Sequence, residues 1–202
     1  MKPMEIEQAS MAIIEEELRV ALPEDVKPIV KRVIHATADF SFAESMVFTP
    51  GVVEKLRALL SRSATVVTDT QMALAGISKP ALSRLGCRGL CLMAEADVAR
   101  EAQARGVTRA TVCMERALAL PGPKLLVCGN APTFLDPLVS AGPLTDVGVI
   151  GVPVGFVHVT EAKEALLRTG LTCVVARGRR GGSNVAAAIV NALMYGMEGA
   201  RP

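Results

Sequence analysis

The segment Lys31–Asp39 combines an arginine and a histidine at a spacing suited to anion binding and proton exchange. His35 is one of 2 histidines in the chain, and Arg32 stands one helical turn before it. Residues at this spacing lie on one face of a helix. A guanidinium binds anions, and an imidazole exchanges a proton near neutral pH. The pair therefore predicts an anion site with a titratable ring, unless His35 is a hydrogen-bonded core histidine.

A second candidate is the segment Arg177–Ser183, which reads Arg-Gly-Arg-Arg-Gly-Gly-Ser. It matches neither glycine-rich phosphate-loop pattern, and it lacks the Gly-x-Ser-x-Gly elbow of hydrolases. Ser183 fits the N-cap of a following helix. Guanidinium and backbone N–H groups in this arrangement bind carboxylates. The segment predicts a site for a small anionic molecule, with Arg177, Gly182 and Ser183 as binding residues.

Three further positions leave two interpretations open. His158 either reaches the pocket or lies on the surface, and Arg109 lies either at the pocket rim or on an exposed helix face. Glu161 and Lys163 are either a solvated pair or hold the loop before their helix. The histidines lie far apart in the sequence and the cysteines lie in apolar runs, so no metal site is predicted.

Short apolar runs alternate with helical patterns along the chain. None of these runs alternates polar and apolar residues, which is typical of strands covered on both faces. The predicted strands are 64–68, 88–93, 124–128, 147–151 and 171–176, and the predicted helices are 4–20, one opening at 24–25, 51–60, 95–105, 108–118, 132–141, 160–168 and 184–197. This order predicts a three-layer α/β fold, with a mainly parallel five-stranded sheet, helices on both faces and additional N-terminal helices. Residues 1–202 are expected to form one domain.

The second N-terminal helix is expected to bury an apolar stripe and to present Arg32 and His35 near its end. The stripe consists of Val26, Ile29, Val30, Val33 and Ile34. Phe40, Phe42 and Phe48 follow, and they either line an apolar pocket or belong to the core.

The loops after the predicted strands are the expected ligand site. In parallel sheets, ligands bind beyond the carboxyl ends of the strands, where loops lead into helix N-termini. The loops here are 69–72, 129–133, 153–157 and 177–184. They add Asp69, Met72, Asn130, Val154 and Gly155 to the candidate substrate-binding residues.

Composition excludes several classes of function. A net charge of +2 and an aromatic content of 3% do not predict nucleic-acid binding. No apolar run is long enough to span a membrane, and the N-terminus does not resemble a signal peptide. The 5 cysteines form no Cys-x-x-Cys pair and are expected to be free thiols of a cytoplasmic protein. The mean hydropathy of +0.38 indicates a thick core and is compatible with a dimer interface.

Four segments, in this order and at this spacing, resemble those of the precorrin-8X methylmutases, also called cobalt-precorrin-8 methylmutases. The segments are Arg32–Thr37, Gly129–Thr133, Pro153–Val157 and Arg177–Ser183. The resemblance extends from about Ile6 to Leu193. It implies a parallel α/β fold that works as a homodimer with active sites at the subunit interface.

The resemblance also implies an isomerase of cobalamin biosynthesis. Such an enzyme moves a methyl group from C-11 to C-12 of precorrin-8X or cobalt-precorrin-8, giving hydrogenobyrinate or cobyrinate. The reaction is a 1,5-sigmatropic rearrangement that needs no external cofactor. The partner would be an anionic tetrapyrrole, and the residues do not decide between a metal-free and a cobalt-containing ring.

By the same resemblance, the essential histidine of the family motif falls on His35. The family's helix-one serine falls on Ser10, and its arginine before the histidine falls on Arg32. Asp69 and Met72 match its Asp-x-x-Met segment, and Thr108-Arg109 matches its Thr-Arg pair. The sequence departs from relatives at Ala162, where they have serine, and at His158, where small residues are common.

His35 is the candidate general acid for this reaction. Protonating a ring C nitrogen or its neighbouring carbon would make the ring electron-poor and favour methyl migration. The alternatives are a corrinoid-binding or carrier protein without catalysis, and a hydrolase or nucleotide enzyme on an α/β scaffold. Turnover by the isolated protein separates the first alternative from an isomerase.

Overall fold

The computed structural model describes residues 3–197, which fold as helices around one sheet. The helices are α1 (Pro3–Glu17), α2 (Lys27–Thr37), α3 (Phe42–Ser45), α4 (Val52–Ser61), α5 (Gln71–Gly76), α6 (Lys79–Arg84), α7 (Ala96–Arg105), α8 (Arg109–Ala119), α9 (Asp136–Ser140), α10 (Val159–Arg168) and α11 (Ser183–Tyr195). The strands are β1 (Met46–Phe48), β2 (Thr65–Thr68), β3 (Arg88–Leu90), β4 (Lys124–Cys128), β5 (Val147–Gly151) and β6 (Cys173–Ala176). A 3-10 turn, Pro132–Phe134, precedes α9.

The sheet has the strand order β1-β6-β5-β4-β2-β3. Neighbours from β2 to β6 are parallel, whereas β1 pairs antiparallel with β6. The predicted mainly parallel α/β fold is confirmed, and the predicted count of five strands is corrected to 6. Residues Met46–Phe48 are too few to leave a recognisable pattern, and pairing with β6 makes them a strand.

Strand order reverses between β2 and β4, because β2 has β3 on one side and β4 on the other. In open α/β sheets a ligand crevice forms outside the carboxyl ends of the strands at such a reversal. We call the edge formed by the carboxyl ends of β2 to β6 the carboxyl edge.

Apolar side chains fill a core on each face of the sheet. Successive residues of a strand point to opposite faces. In β4, Leu125 and Val127 join the core beneath α2, α4 and α11, whereas Leu126 and Cys128 join the core beneath α8, α9 and α10. The three-layer arrangement is therefore the predicted one, and the predicted stripe of α2 is buried.

Several element boundaries differ from the prediction. α1 ends at Glu17 rather than at residue 20, and α2 begins at Lys27, after a turn at 24–26. The predicted helix 132–141 is divided into the 3-10 turn and α9, which carries Pro137 in its first turn. The helices α5 and α6 were not predicted, because they are too short to show the apolar periodicity of a helix. The side chains of Thr70 and Ser78 cap their N-termini.

None of the helices within residues 3–197 is both long and apolar enough to cross a membrane. The predicted free thiols are confirmed, because all cysteines are unpaired and buried. Burial raises the pKa of Cys113 and of Cys173 to about 11, so both thiols stay protonated near neutral pH.

Candidate active site

The predicted ligand loops contact one another at the carboxyl edge. The backbone N–H of Gly182 donates to Val152 O at 2.9 Å, and that of Gly155 donates to Arg179 O at 3.1 Å. The hydroxyls of Thr70 and Ser183 lie 2.9 Å apart. Loops predicted separately therefore form one continuous surface.

Asp69 holds the loop after β4 from below. Its carboxylate accepts backbone N–H bonds from Gly129 at 2.9 Å, Asn130 at 2.7 Å and Ala131 at 2.7 Å. The residue is 0% exposed. Burial raises the pKa of the Asp69 carboxyl, and the backbone donors act in the opposite direction. Asp69 thus fixes the loop that presents Asn130, at the point where strand order reverses.

The loops after β4 and β6 also meet backbone to backbone. A Cβ atom at Gly129 would lie 2.8 Å from Ser183 Cα and 3.0 Å from Gly182 O. Backbone atoms cannot rotate away as a flexible side chain can. Gly129 therefore permits a contact that no larger residue could make.

Gly129→Ala is expected to separate these two loops. The added methyl group should lower the free energy of unfolding by about 1–3 kcal/mol, the usual effect of overpacking. Chemical denaturation measures this change. Gly129 does not have a positive φ, so the loss would come from the contact with the loop after β6 and not from backbone strain. A Gly129→Ala protein as stable as the wild type would contradict the close approach.

The arginine loop, defined as residues 177–182, is anchored to the segment that follows α2. Arg177 N donates to Ser45 O at 2.8 Å, and Arg180 pairs with Asp39 at 3.1 Å and contacts the Ser41 hydroxyl. Hydrogen bonds from Ser41, together with the charge of Arg180, lower the pKa of Asp39. The loop is thus tied to the chain that immediately follows His35.

Exposed apolar side chains lie in two of the loops of the carboxyl edge. Phe156 is 82% exposed, Val157 is 83% exposed and Met72 is 75% exposed. The guanidinium of Arg179 lies 5.3 Å from the centroid of the Phe156 ring. Large apolar groups in open positions usually mark a binding surface. This one combines apolar area with positive charge.

His35 and Arg32, predicted to share a helix face, have different surroundings in the structure. His35 lies in the last turn of α2 and is exposed, and its side chain makes no hydrogen bond within residues 3–197. Arg32 instead pairs with Glu7 of α1 at 2.6 Å, and its guanidinium lies 5.3 Å from the centroid of the Tyr195 ring. It lines a cleft of about 740 Å³ between α1, α2 and α11. These contacts favour a role for Arg32 in holding helices together.

The other predicted residues divide into two groups. Asn130, Val154 and Arg177 are exposed at the carboxyl edge, where Gly155, Gly182 and Ser183 also lie. Arg109, exposed at the start of α8, is linked to this edge because Thr108 and Thr133 share a hydroxyl contact of 2.8 Å. Ser10 lies on α1, and its hydroxyl donates to Ile6 O of the same helix at 2.9 Å. Within residues 3–197, neither Ser10 nor Arg32 forms a hydrogen bond or an ion pair with the loops of the carboxyl edge.

The sequence offered Lys163 only as half of a solvated pair or as a brace for the preceding loop. The side chain is 0% exposed, and it holds the arginine loop, which comes later in the chain. The sequence did contain a signal for the burial of Lys163, because this residue belongs to the buried stripe of α10. The other members of the stripe are Val159, Ala162 and Leu166. Asp39 and Ser41 were also missed, since their partner Arg180 is remote in sequence.

The fold and the edge define an α/β protein that binds a partly apolar, anionic ligand beyond its parallel strands. A family model described as precorrin-8X methylmutase matches residues 5–196. The chain is 43% identical to the cobalt-precorrin-8 methylmutase of Salmonella typhimurium, over 96% of this chain and 95% of that protein. It is 37% identical to the precorrin-8X methylmutase of Pseudomonas aeruginosa, over 93% of each chain. The chain belongs to the precorrin-8X methylmutase family, whose members are isomerases of cobalamin biosynthesis.

A solved structure supports the same assignment. The precorrin-8X methylmutase from Thermus thermophilus superposes with a TM-score of 0.86 at 35% identity, covering 95% of both chains. The predicted family is therefore confirmed, and the alternative of a non-catalytic carrier is not favoured.

Proposed function

We propose that this enzyme moves a methyl group from C-11 to C-12 of precorrin-8X or cobalt-precorrin-8, giving hydrogenobyrinate or cobyrinate. The observation that carries this proposal is the juxtaposition of open apolar side chains with guanidinium groups at the carboxyl edge. Phe156 lies 5.3 Å from Arg179, beside Val157. A flat macrocycle edged with acetate and propionate arms needs both kinds of contact. The relatives bear the names of methylmutases acting on these two compounds.

In this proposal the exposed polar groups bind the carboxylate arms. Arg177 and Asn130 supply side-chain donors, and the start of α11 at Ser183 supplies backbone N–H groups. Arg109 extends the positive charge along the edge. Met72 and Val154 contact the face of the ring, beside Gly155. Asp69 acts beneath the surface as a positioning residue, because its carboxylate is already bound by backbone donors.

His35 supplies the proton. Its ring is exposed at the end of α2, and the chain it leads into is tied to the arginine loop through Asp39 and Arg180. A protonated imidazole donates to a ring C nitrogen or its neighbouring carbon, and the cationic ring then accepts the migrating methyl group. The proton returns to the imidazole as the conjugated product forms. No proton or electron is consumed overall.

The test is incubation of the purified protein, without other proteins, with precorrin-8X and with cobalt-precorrin-8 in parallel. We expect the visible spectrum to change while the mass of the compound stays the same, because the product is an isomer. The faster of the two reactions identifies the metal state of the substrate. Tight binding of both compounds without a spectral change would overturn the proposal and favour a carrier.

We further propose that the enzyme is a homodimer with its active sites at the interface. The support is the exposure of Met72, Phe156 and Val157 in loops of the carboxyl edge, which a second copy of the chain would cover. Ser10 forms no hydrogen bond with the carboxyl edge of its own chain within residues 3–197, so a partner offers a route for α1 to reach a site.

Light scattering is expected to give twice the mass of one chain. Phe156→Asp should shift the protein towards the monomer, because it places a charge in the covered surface. Ile13→Asp is the matched control, since Ile13 is also a largely exposed apolar residue but lies on α1 and not in a loop of the carboxyl edge. A monomeric wild-type protein at micromolar concentration would contradict the dimer.

We place the enzyme in the cytoplasm. The support is chemical: buried, unpaired cysteines suit a reducing compartment.

A further inference from the structure

Lys163 is a fully buried lysine whose ammonium contacts only backbone carbonyls among its hydrogen-bond partners in residues 3–197. Its Nζ donates to Gly178 O at 2.9 Å and to Arg180 O at 2.7 Å. It lies on α10 and is 0% exposed. Lysines are rarely buried so completely without a carboxylate partner.

Burying this charge is unfavourable for the fold as a whole, since an ammonium is expensive to remove from water. An apolar side chain of similar length would fill the same space more easily. The lysine contributes what an apolar residue cannot, namely two hydrogen bonds that fix the backbone of the arginine loop. The two carbonyl groups, of Gly178 and Arg180, flank Arg179. Arg180 is followed directly by the two glycines that lead into α11.

We propose that Lys163 is a positioning residue for substrate binding. Its ammonium fixes the backbone of the arginine loop, so that Arg177, Arg179 and the start of α11 meet the carboxylate arms of the substrate in a prearranged geometry. The inference rests on the proposed function and adds the residue that organises its anion-binding side. Lys163 does not itself touch the substrate, because the loop covers it.

The titratable group on the sheet that acts on Lys163 is the Cys128 thiol at the end of β4. Burial and the neighbouring Asp69 raise the pKa of Cys128 well above its usual range, so it stays neutral. Arg177 of the loop pairs with Glu164, and Arg180 pairs with Asp39. Burial lowers the pKa of Lys163 to about 8, so the ammonium loses its charge just above neutral pH.

The experiment compares Lys163→Met with the wild type in three measurements. Because Met is apolar and similar in length, thermal stability should be unchanged or higher. Trypsin should cleave the arginine loop about 10-fold faster, since cleavage follows the population of the open loop. The KM for the corrin precursor should rise by about 10-fold while kcat changes little, because uniform binding is lost.

Lys124→Met is the matched control. Lys124 is also buried and donates to a backbone carbonyl, that of Gly122 at 2.8 Å, but it lies at the amino end of β4. We expect wild-type KM and wild-type cleavage of the arginine loop from this variant. Lys163→Gln, which keeps a shorter neutral donor, should lie between Lys163→Met and the wild type in both measurements.

The pH profile separates positioning from a merely structural role. In the wild type the KM should rise between about pH 7 and pH 9, as the ammonium loses its proton and its hydrogen bonds weaken. In Lys163→Met the KM should be high and flat over this interval. The pH dependence of stability runs the other way: the folded-state pKa lies below the ordinary value of 10.5, so the penalty for burying the charge is present below about pH 8 and is relieved above it.

Wild-type KM and wild-type loop cleavage in Lys163→Met would overturn the inference, and so would a pH profile shared by both proteins. Failure of the proposed function is a separate result, because the wild type would then convert neither precursor. In that case trypsin cleavage, which needs no substrate, still decides whether Lys163 fixes the loop. Equal cleavage of the two proteins would refute the contact outright.

Discussion

Replacing His35 with alanine is expected to lower turnover of the corrin precursor by about 10²–10⁴-fold, the usual contribution of a general acid. The fold should not change, because the His35 side chain is exposed and makes no hydrogen bond within residues 3–197. The free energy of unfolding should stay within about 0.5 kcal/mol of the wild-type value. The spectral assay and chemical denaturation measure the two quantities on one preparation.

His158→Ala is the natural control for this change, since it removes the other histidine. His158 Nε2 lies 2.7 Å from Asp136 Oδ1, on the side of the loop nearest α9. We expect turnover close to the wild-type rate. Full activity of His35→Ala would remove His35 from the chemistry, and an equal loss in both variants would point to a general effect on the loops.

Asp69→Asn is expected to reduce both stability and turnover. The amide keeps one acceptor oxygen and turns an NH₂ group towards N–H donors that the carboxylate now satisfies. A buried donor left unsatisfied costs about 1–3 kcal/mol. With at least one such donor and a repulsive contact, we expect a loss of about 2–4 kcal/mol in the free energy of unfolding.

The same change should release the loop that carries Asn130, and turnover should fall with it. Asp136→Asn is the matched control, because that carboxylate is half exposed and pairs with His158 at the surface. Denaturant titration of the two variants gives the comparison. Equal stabilities would mean that the buried network at the strand reversal contributes little.

The positions of the ligand loops could be predicted because parallel strands leave a strong signal. Apolar runs such as Lys124–Cys128 end in Gly129 and Asn130, and topology alone brings such ends to one edge. The buried stripe of α2 was predictable for the same reason, since its period of apolar residues is set by the helix. The family could be recognised from the resemblance of four segments, in their order and spacing, to the precorrin-8X methylmutases.

The partners of polar side chains could not be predicted in the same way. Sequence places Asp69 in a ligand loop, but only the register between β2 and β4 shows that its carboxylate points under the neighbouring loop. Arg32 and His35 share a helix face, yet packing of α1 directs Arg32 to Glu7. β1 has no sequence signal of its own, because it is a strand only by virtue of β6.

The pairing of Asp39 with Arg180 has a consequence for how the enzyme is made. The two residues are separated by 141 positions, and β1 likewise needs β6, near the end of the chain. Contacts between residues so far apart in sequence form late, because the long segment between them must first close into a loop. During synthesis on a ribosome, His35 emerges long before any arginine of the loop exists. A nascent chain interrupted before β6 would therefore carry His35 without the arginine loop, and only a chain that includes both could form the site proposed for the tetrapyrrole.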